Sequence, residues 1–282
     1  MMNNRARQFL AAGLVVFSLA GFTVLESIFA PSADLWEKWQ ANDASSTIKV
    51  DHKAWAAFLK TYVRTDKAGV NRVAYGKVSK ADKEALHGYL EALRGVTVAD
   101  LNRNEQLAYW INLYNALTVR LIIQFYPVKS IQDINLSSGL FGGGPWNEKL
   151  IRINGEMISL NDIEHRILRP IWKDPRIHYA VNCASVGCPN LAAVPYTGDD
   201  IDAMLRRAAQ EFVNSPRGLR YTDDGLVVSK IYAWFSEDFG GSDSLVLDHL
   251  ATHASSNTEV KIMQSLEIDA YEYDWSLNDA GE

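Results

Sequence analysis

Apolar residues recur at helical spacing over much of the chain. Trp55, Phe58, Leu59 and Tyr62 share one side of a helix in 55–63. Residues 80–94 repeat the pattern, with Leu86, Tyr89, Leu90 and Leu93 on one face. A short helix is expected at 34–41 and an extended piece at 70–78. The longest predicted helix is 102–125. Asn102 with Glu105 three residues later resembles a capping box, and Pro127 closes the far end. Leu107, Trp110, Ile111, Leu113, Leu117, Val119, Leu121 and Ile122 cover almost every side of it. A helix that is apolar all round sits at the centre of its domain.

The pattern then changes period. Residues 149–153 and 156–159 flank Asn154-Gly155, a strong hairpin signal. Ser159 and Asp162 read as a helix start, with the helix stopping before Pro170. Residues 176–182 are expected as a short strand ending at Cys183. A helix at 199–214 precedes a second hairpin, 219–221 with 226–229, around Asp223-Asp224-Gly225. A helix at 245–252 and strands at 260–263 and 268–275 complete the chain. Helices and hairpins alternate without a repeated βαβ rhythm. The expected class is therefore α+β, a single domain over 45–278 with a central buried helix and small antiparallel hairpins. Residues 31–44 form a lead-in.

The first thirty residues differ in kind. Arg5 and Arg7 precede an apolar run from Phe9 to Leu25, and Ile28-Phe29-Ala30 ends in a small residue. That is the layout of a secretory signal peptide over 1–30, which would make the protein periplasmic or secreted. The alternative is an uncleaved N-terminal membrane anchor. No later segment has the length and apolarity to span a membrane.

Composition adds limits. The chain has 282 residues, 48% of them hydrophobic, which is ordinary for a folded domain. The formal net charge is −6, with no basic stripe, so nucleic acid is not an expected partner. Two cysteines are too few for a disulfide framework. Gly142-Gly-Gly-Pro-Trp146 lacks the Lys-Ser or Lys-Thr of a phosphate cradle and reads as a loop. No cofactor is expected.

The chemistry concentrates in residues 174–190, where Cys183 stands at the junction of an expected strand and a turn of small residues. A nucleophile suits that position, and Ala184, Ser185 and Gly187 would let a substrate carbonyl approach open backbone amides. A reactive thiol needs a base or a positive field. His178 lies five residues before Cys183, which on a strand puts the two on opposite faces. His165, on the preceding helix, is the better candidate base. Glu105 supplies a candidate orienting carboxylate, because Tyr109 and Asn112 fall within about 40° of it on the helix. Asp238 is the fallback for that role. Trp146 would wall the cleft, with Asn112, His178, Ser185 and Cys188 as further lining residues. The substrate would be peptide-like or ester-like.

Two other readings compete. Cys183 and Cys188 are close enough in sequence to form a disulfide in a non-catalytic structural or binding domain. His178, Cys183 and Cys188 resemble zinc ligands in type, but no fourth ligand stands at a suitable spacing, so no metal is expected.

Five ordered motifs carry a resemblance. They are Trp110-Ile-Asn-Leu-Tyr-Asn-Ala-Leu117, Tyr126-Pro-Val-Lys-Ser130, Ser159-Leu-Asn-Asp-Ile-Glu-His165, the stretch 174–189, and Lys230-Ile-Tyr-Ala-Trp-Phe-Ser-Glu-Asp-Phe-Gly240. Over roughly 50–255 the chain resembles the domain of unknown function numbered 547. The resemblance implies a relation to papain-like cysteine peptidases. It also implies a candidate constellation of Cys183, His165 and Glu105 for a thiol-dependent hydrolase or acyl transferase acting on amide or ester bonds.

Overall fold

The computed structural model describes residues 31–136, 144–265 and 267–281. The expected signal segment, 1–30, lies outside the described residues, as do Gly142 and Gly143 of the glycine-rich loop.

The chain folds around one long buried helix. Helices α1 (Lys53–Tyr62) and α2 (Lys80–Arg94) come first, separated by a short antiparallel pair, β1 (Val63–Thr65) and β2 (Asn71–Val73). Next is that helix, α3 (Arg103–Phe125), buried without a break from Glu105 to Val119. Its N-terminus is capped by Asn102, whose side chain accepts the Glu105 N–H. The reciprocal half of the expected capping box is absent, because the Glu105 carboxylate accepts from Val50 N–H instead. Polar side chains on α3 must find partners inside the protein. Asn112 both donates to and accepts from the Tyr196 backbone, at 2.8 and 3.0 Å. The Tyr109 hydroxyl donates to the Leu93 carbonyl.

The hairpin β3 (Ile151–Ile153) and β4 (Glu156–Ile158) turns at Asn154 and Gly155, with φ of 42° and 92°. Positive φ at both positions is what the tightest hairpin turn requires, and Asn-Gly tolerates it. Ser159 and Asp162 then cap each other, backbone to side chain in both directions. The helix they start is π-helical over Asp162–Leu168 and runs into α4 (Arg169–Trp172). It therefore passes through Pro170 rather than stopping before it. Pro170 has no N–H to give the preceding turn, and the His165 and Arg166 carbonyls there accept the Asp34 and Trp36 N–H groups instead.

Residues expected as a strand at 176–182 are instead a 3₁₀ helix, Pro175–Tyr179, capped by the Asp174 side chain. Asp-Pro is a helix-start signal, and it outweighs the β-like run that follows. Helix α5 (Ile201–Val213) leads to β5 (Leu219–Thr222), β6 (Gly225–Ser229) and α6 (Ile231–Trp234). Helices α7 (Asp243–His253) and α8 (Ser256–Gln264) follow, then β7 (Ala270–Glu272). The stretch 260–263, expected as a strand, belongs to α8, which buries Ile262. β7 joins β6 in parallel, so the third sheet is mixed rather than a simple hairpin.

These elements make an α+β fold. One apolar cluster surrounds α3, including Trp39, Trp55, Trp110, Leu117 and Ile167. A second surrounds Phe212, Val228, Tyr232, Phe239 and Leu250. The segment carrying Ile177 and Tyr179 bridges the two, as does α5 through Leu205 and Phe212. The loop after it, with Cys183, therefore leaves from a base packed on both sides. Among the described residues no helix is long and apolar enough to cross a membrane.

Truncating α3 should expose how much rests on it. Leu117→Ala should cost about 2–5 kcal/mol of unfolding free energy, the range for a fully buried leucine. Met263→Ala, at a side chain 74% exposed, should stay within about 0.5 kcal/mol. Urea titrations followed by tryptophan fluorescence measure both.

Candidate functional site

The loop 182–190 is held from three directions. Asn115 on α3 accepts the Asn182 N–H at 2.8 Å and donates to the Ala180 carbonyl at 2.9 Å. Arg217 donates to the carbonyls of Val186 and Cys188. The C-terminal segment pairs with the loop, with Val186 N–H on the Ser276 carbonyl and Gly187 N–H on the Asp274 carbonyl. Gly187 is there for that approach, since a Cβ would come within 2.6 Å of the Asp274 nitrogen. Within the loop Ala184 takes φ +62°, an uncommon left-handed conformation for a residue with a Cβ. Its N–H is fixed by the Asn182 side chain and its carbonyl by the Asn278 N–H. Strain held this firmly clusters at functional positions.

Cys183 is partly exposed and Cys188 is buried. Their sulfurs lie 2.9 Å apart, and both are free thiols. The Tyr273 hydroxyl is 2.9 Å from Cys183 Sγ, and the Ser185 hydroxyl is 3.5 Å away. The hydrogen bond with Cys188 pulls the Cys183 thiol below its ordinary range. Burial opposes this, and Tyr273, the Ser185 hydroxyl and the Ser185 N–H reinforce it. Cys188 moves the opposite way, raised by burial and then by its bond to Cys183. Tyr273 is also pushed up, by burial and the two sulfurs, so it stays a proton donor. The pair is thus split into a partly exposed thiol shifted down and a buried thiol shifted up.

A second polar cluster lies behind it. His178 Nε2 bonds Asp238 Oδ2 at 2.6 Å, and Arg169 Nε donates to the same oxygen at 2.5 Å. Burial pushes the Asp238 carboxyl up, but these two partners outweigh it and hold it at about 2. Burial lowers the His178 imidazole from its ordinary range, against the pull of Asp238. The His178 ring stacks on Phe235 at 4.3 Å. Glu164, on the π-helical turn, is buried and raised to about 7. Burial is the main cause, Arg169 and Tyr114 oppose it, and the charge of Cys183 adds to it.

Residues 98–213 match the family model described as protein of unknown function, DUF547. This stretch of the chain belongs to that family. No curated protein matches the chain, and no solved structure does. The DUF547 stretch runs from the turn before α3 to the end of α5, so it holds both cysteines, Glu105, His165 and His178. It is shorter than the resemblance over 50–255. Tyr273 and Asp238 lie beyond it.

The structure groups the expected site residues differently from their sequence reading. Ser185 and Cys188 surround Cys183. His165 does not bond the sulfur. Its Nδ1 accepts from Arg169 at 3.1 Å, and burial, with Arg169 and His178 beside it, lowers it to about 3. Glu105 binds Val50 and Lys49 at the start of α3, about 15 Å along the helix from Asn115. The histidine that does bond a carboxylate is His178, with Asp238, the fallback carboxylate. Asn112 pins the Tyr196 backbone. Trp146 stands against Trp275, which touches Tyr273. The loop amides expected to be open have partners: Cys183 N–H on Cys188 Sγ, Ala184 N–H on Asn182, and Val186 and Gly187 on the C-terminal segment. Cys188 N–H bonds the Ser185 carbonyl. Among the described residues, no group of three or more His, Cys, Asp or Glu could hold a metal. Tyr273 was missed because it stands ninety positions from Cys183 with no motif around it.

Glu164 gives the site a pH signature. An acid raised from near 4.5 to about 7 leaves stability intact below about pH 4.5, and costs stability as the pH rises through 7. Between pH 4.5 and 8 the wild type should lose on the order of 3 kcal/mol relative to Glu164→Gln. Urea midpoints of both proteins across that range measure the difference.

Proposed function

We propose that the Cys183–Cys188 pair carries out thiol–disulfide exchange, with Cys183 as attacking sulfur and Cys188 as resolving sulfur. The observation that carries this reading is the 2.9 Å contact between a lowered, partly exposed thiol and a raised, buried one. The Cys183 thiolate attacks one sulfur of a substrate disulfide, forms a mixed disulfide and expels the other sulfur as a thiolate. That thiolate takes up the proton Cys188 gives up. The Cys188 thiolate then attacks Cys183 Sγ, closes the Cys183–Cys188 bond and expels the second substrate sulfur as a thiolate, which solvent protonates. Two electrons pass from the protein dithiol to the substrate disulfide. The reaction needs neither a histidine at the sulfur nor free loop amides. Closing the bond requires the sulfurs to approach by about 1 Å, to a bond length of about 2.05 Å. The basic and apolar N-terminus would deliver the domain to a compartment where substrate disulfides persist.

Acyl transfer by Cys183 is the second reading. The His178–Asp238 pair and the sensitivity of Glu164 to the sulfur's charge favour it. A permanent structural Cys183–Cys188 disulfide is the third outcome the test distinguishes.

Glutathione disulfide is a sufficient probe, read by intact mass. Cys188→Ser should accumulate a stable mixed disulfide at Cys183. The wild type should pass through it and finish as the intramolecular disulfide, and Cys183→Ser should form neither. At pH 7 Cys183 should react on the order of tenfold faster than a free cysteine thiol. No trapped adduct in Cys188→Ser would end the proposal, as would an intramolecular bond that dithiothreitol fails to open. Cys183-dependent turnover of p-nitrophenyl acetate without disulfide exchange would move the assignment to acyl transfer.

A further inference from the structure

Four aromatic side chains from three separate segments meet beside Cys183. Trp234 ends α6, Tyr273 and Trp275 lie just past β7, and Trp146 precedes β3. Trp234, Tyr273 and Trp275 contact one another with ring centroids 4.7–5.5 Å apart. Trp146 meets Trp275 edge to face at 5.8 Å. All four are partly exposed. Tyr273 joins this wall to the sulfur, through its hydroxyl 2.9 Å from Cys183 Sγ. The Tyr273 ring therefore borders the sulfur and continues into the wall through Trp234 and Trp275.

The wall is uncharged, and the backbone pattern explains why. The segment after β7 is extended, and the carbonyls of Glu272, Asp274 and Ser276 accept from Lys230, Gly187 and Val186. Side chains alternate along such a segment. Glu272, Asp274 and Ser276 are exposed, whereas Tyr273 and Trp275 are half-buried. The acids thus point away from the face that carries the aromatic rings. Three indoles and a phenol present a large apolar area with few polar atoms. Half-buried aromatic clusters of this kind mark binding surfaces.

We infer that Trp146, Trp234, Tyr273 and Trp275 form a recognition wall for a neutral apolar or aromatic side chain next to the reacting sulfur of a peptide substrate. The inference rests on the thiol–disulfide reading and names its substrate class. A bulky apolar neighbour gains contact area on the wall and holds the disulfide against Cys183. A charged neighbour would be desolvated against rings that carry no counter-charge.

The test uses one leaving group throughout. Short peptides carry a central cysteine in mixed disulfide with ethanethiol, flanked by leucine and tryptophan, by serines or by aspartates. Diethyl disulfide serves as a probe with no flanks. The second-order rate of reaction at Cys183 should be at least tenfold higher for the apolar flanks than for serine, and lowest for aspartate. In Trp234→Ala and Trp275→Ala the apolar-to-serine ratio should collapse toward one. Near-UV circular dichroism reports whether each variant is folded. Trp146→Leu and Trp234→Leu, on two other segments, serve if Trp275→Ala is not folded. Equal rates for all flanks in the wild type, or an unchanged ratio in the folded variants, would overturn the wall. Failure of every probe at Cys183, diethyl disulfide included, would instead overturn the exchange reading and this inference with it.

Discussion

Asn115 sits midway along a helix that the protein shuts off from water on nearly every side. Its amide must be satisfied internally, and it finds both partners in the backbone of 180–182. That pair of bonds ties the cysteine loop to the buried central helix. Asn182 passes the restraint on, by holding the Ala184 N–H and donating to the Pro189 carbonyl. Asn278 closes the arrangement from the C-terminal segment, itself fixed by the Tyr75 hydroxyl. The left-handed Ala184 and the short sulfur–sulfur contact both depend on this chain of amides.

Environment divides the two thiols, although the residues are identical. Cys183 gathers hydrogen bonds from Cys188, Tyr273 and Ser185, while Cys188 is sealed in by Val181 and the Arg217-held backbone. Charge on one sulfur penalises charge on the other, so a single proton remains on the buried member. The same exclusion of water raises Glu164 and lowers His165 and His178. In the His178–Asp238–Arg169 cluster one carboxylate oxygen of Asp238 is shared between His178 Nε2 and Arg169 Nε.

Much of this was legible in the sequence. Period-3.6 apolar spacing located α2 and α3, and Asn154-Gly155 located the hairpin, because those signals act over a few neighbouring residues. Cys183 stands out in the sequence because small residues crowd around a thiol. The strand expected before it failed because Asp174-Pro175 starts a helix, and 260–263 failed because packing against α7 outweighs β-branched propensity. Of the residues placed at the site, Ser185 and Cys188 are local to Cys183 and were found. Glu105 and His165 were chosen by type and helical phase, which say nothing about what stands opposite.

The sequence by itself determined most of the helices, the Asn154-Gly155 hairpin, the buried central helix and the presence of a cysteine pair in a tight loop. Tertiary structure alone decided which hydroxyl touches the sulfur and which carboxylate holds a histidine. It also decided that aromatic rings from three segments make one wall. The physical reason is range. Hydrogen-bond periodicity and turn stereochemistry are set by residues a few positions apart. Thiol polarisation and wall assembly depend on contacts between Cys183, Tyr273, Trp234 and Trp146, which only the packing of the whole chain brings together.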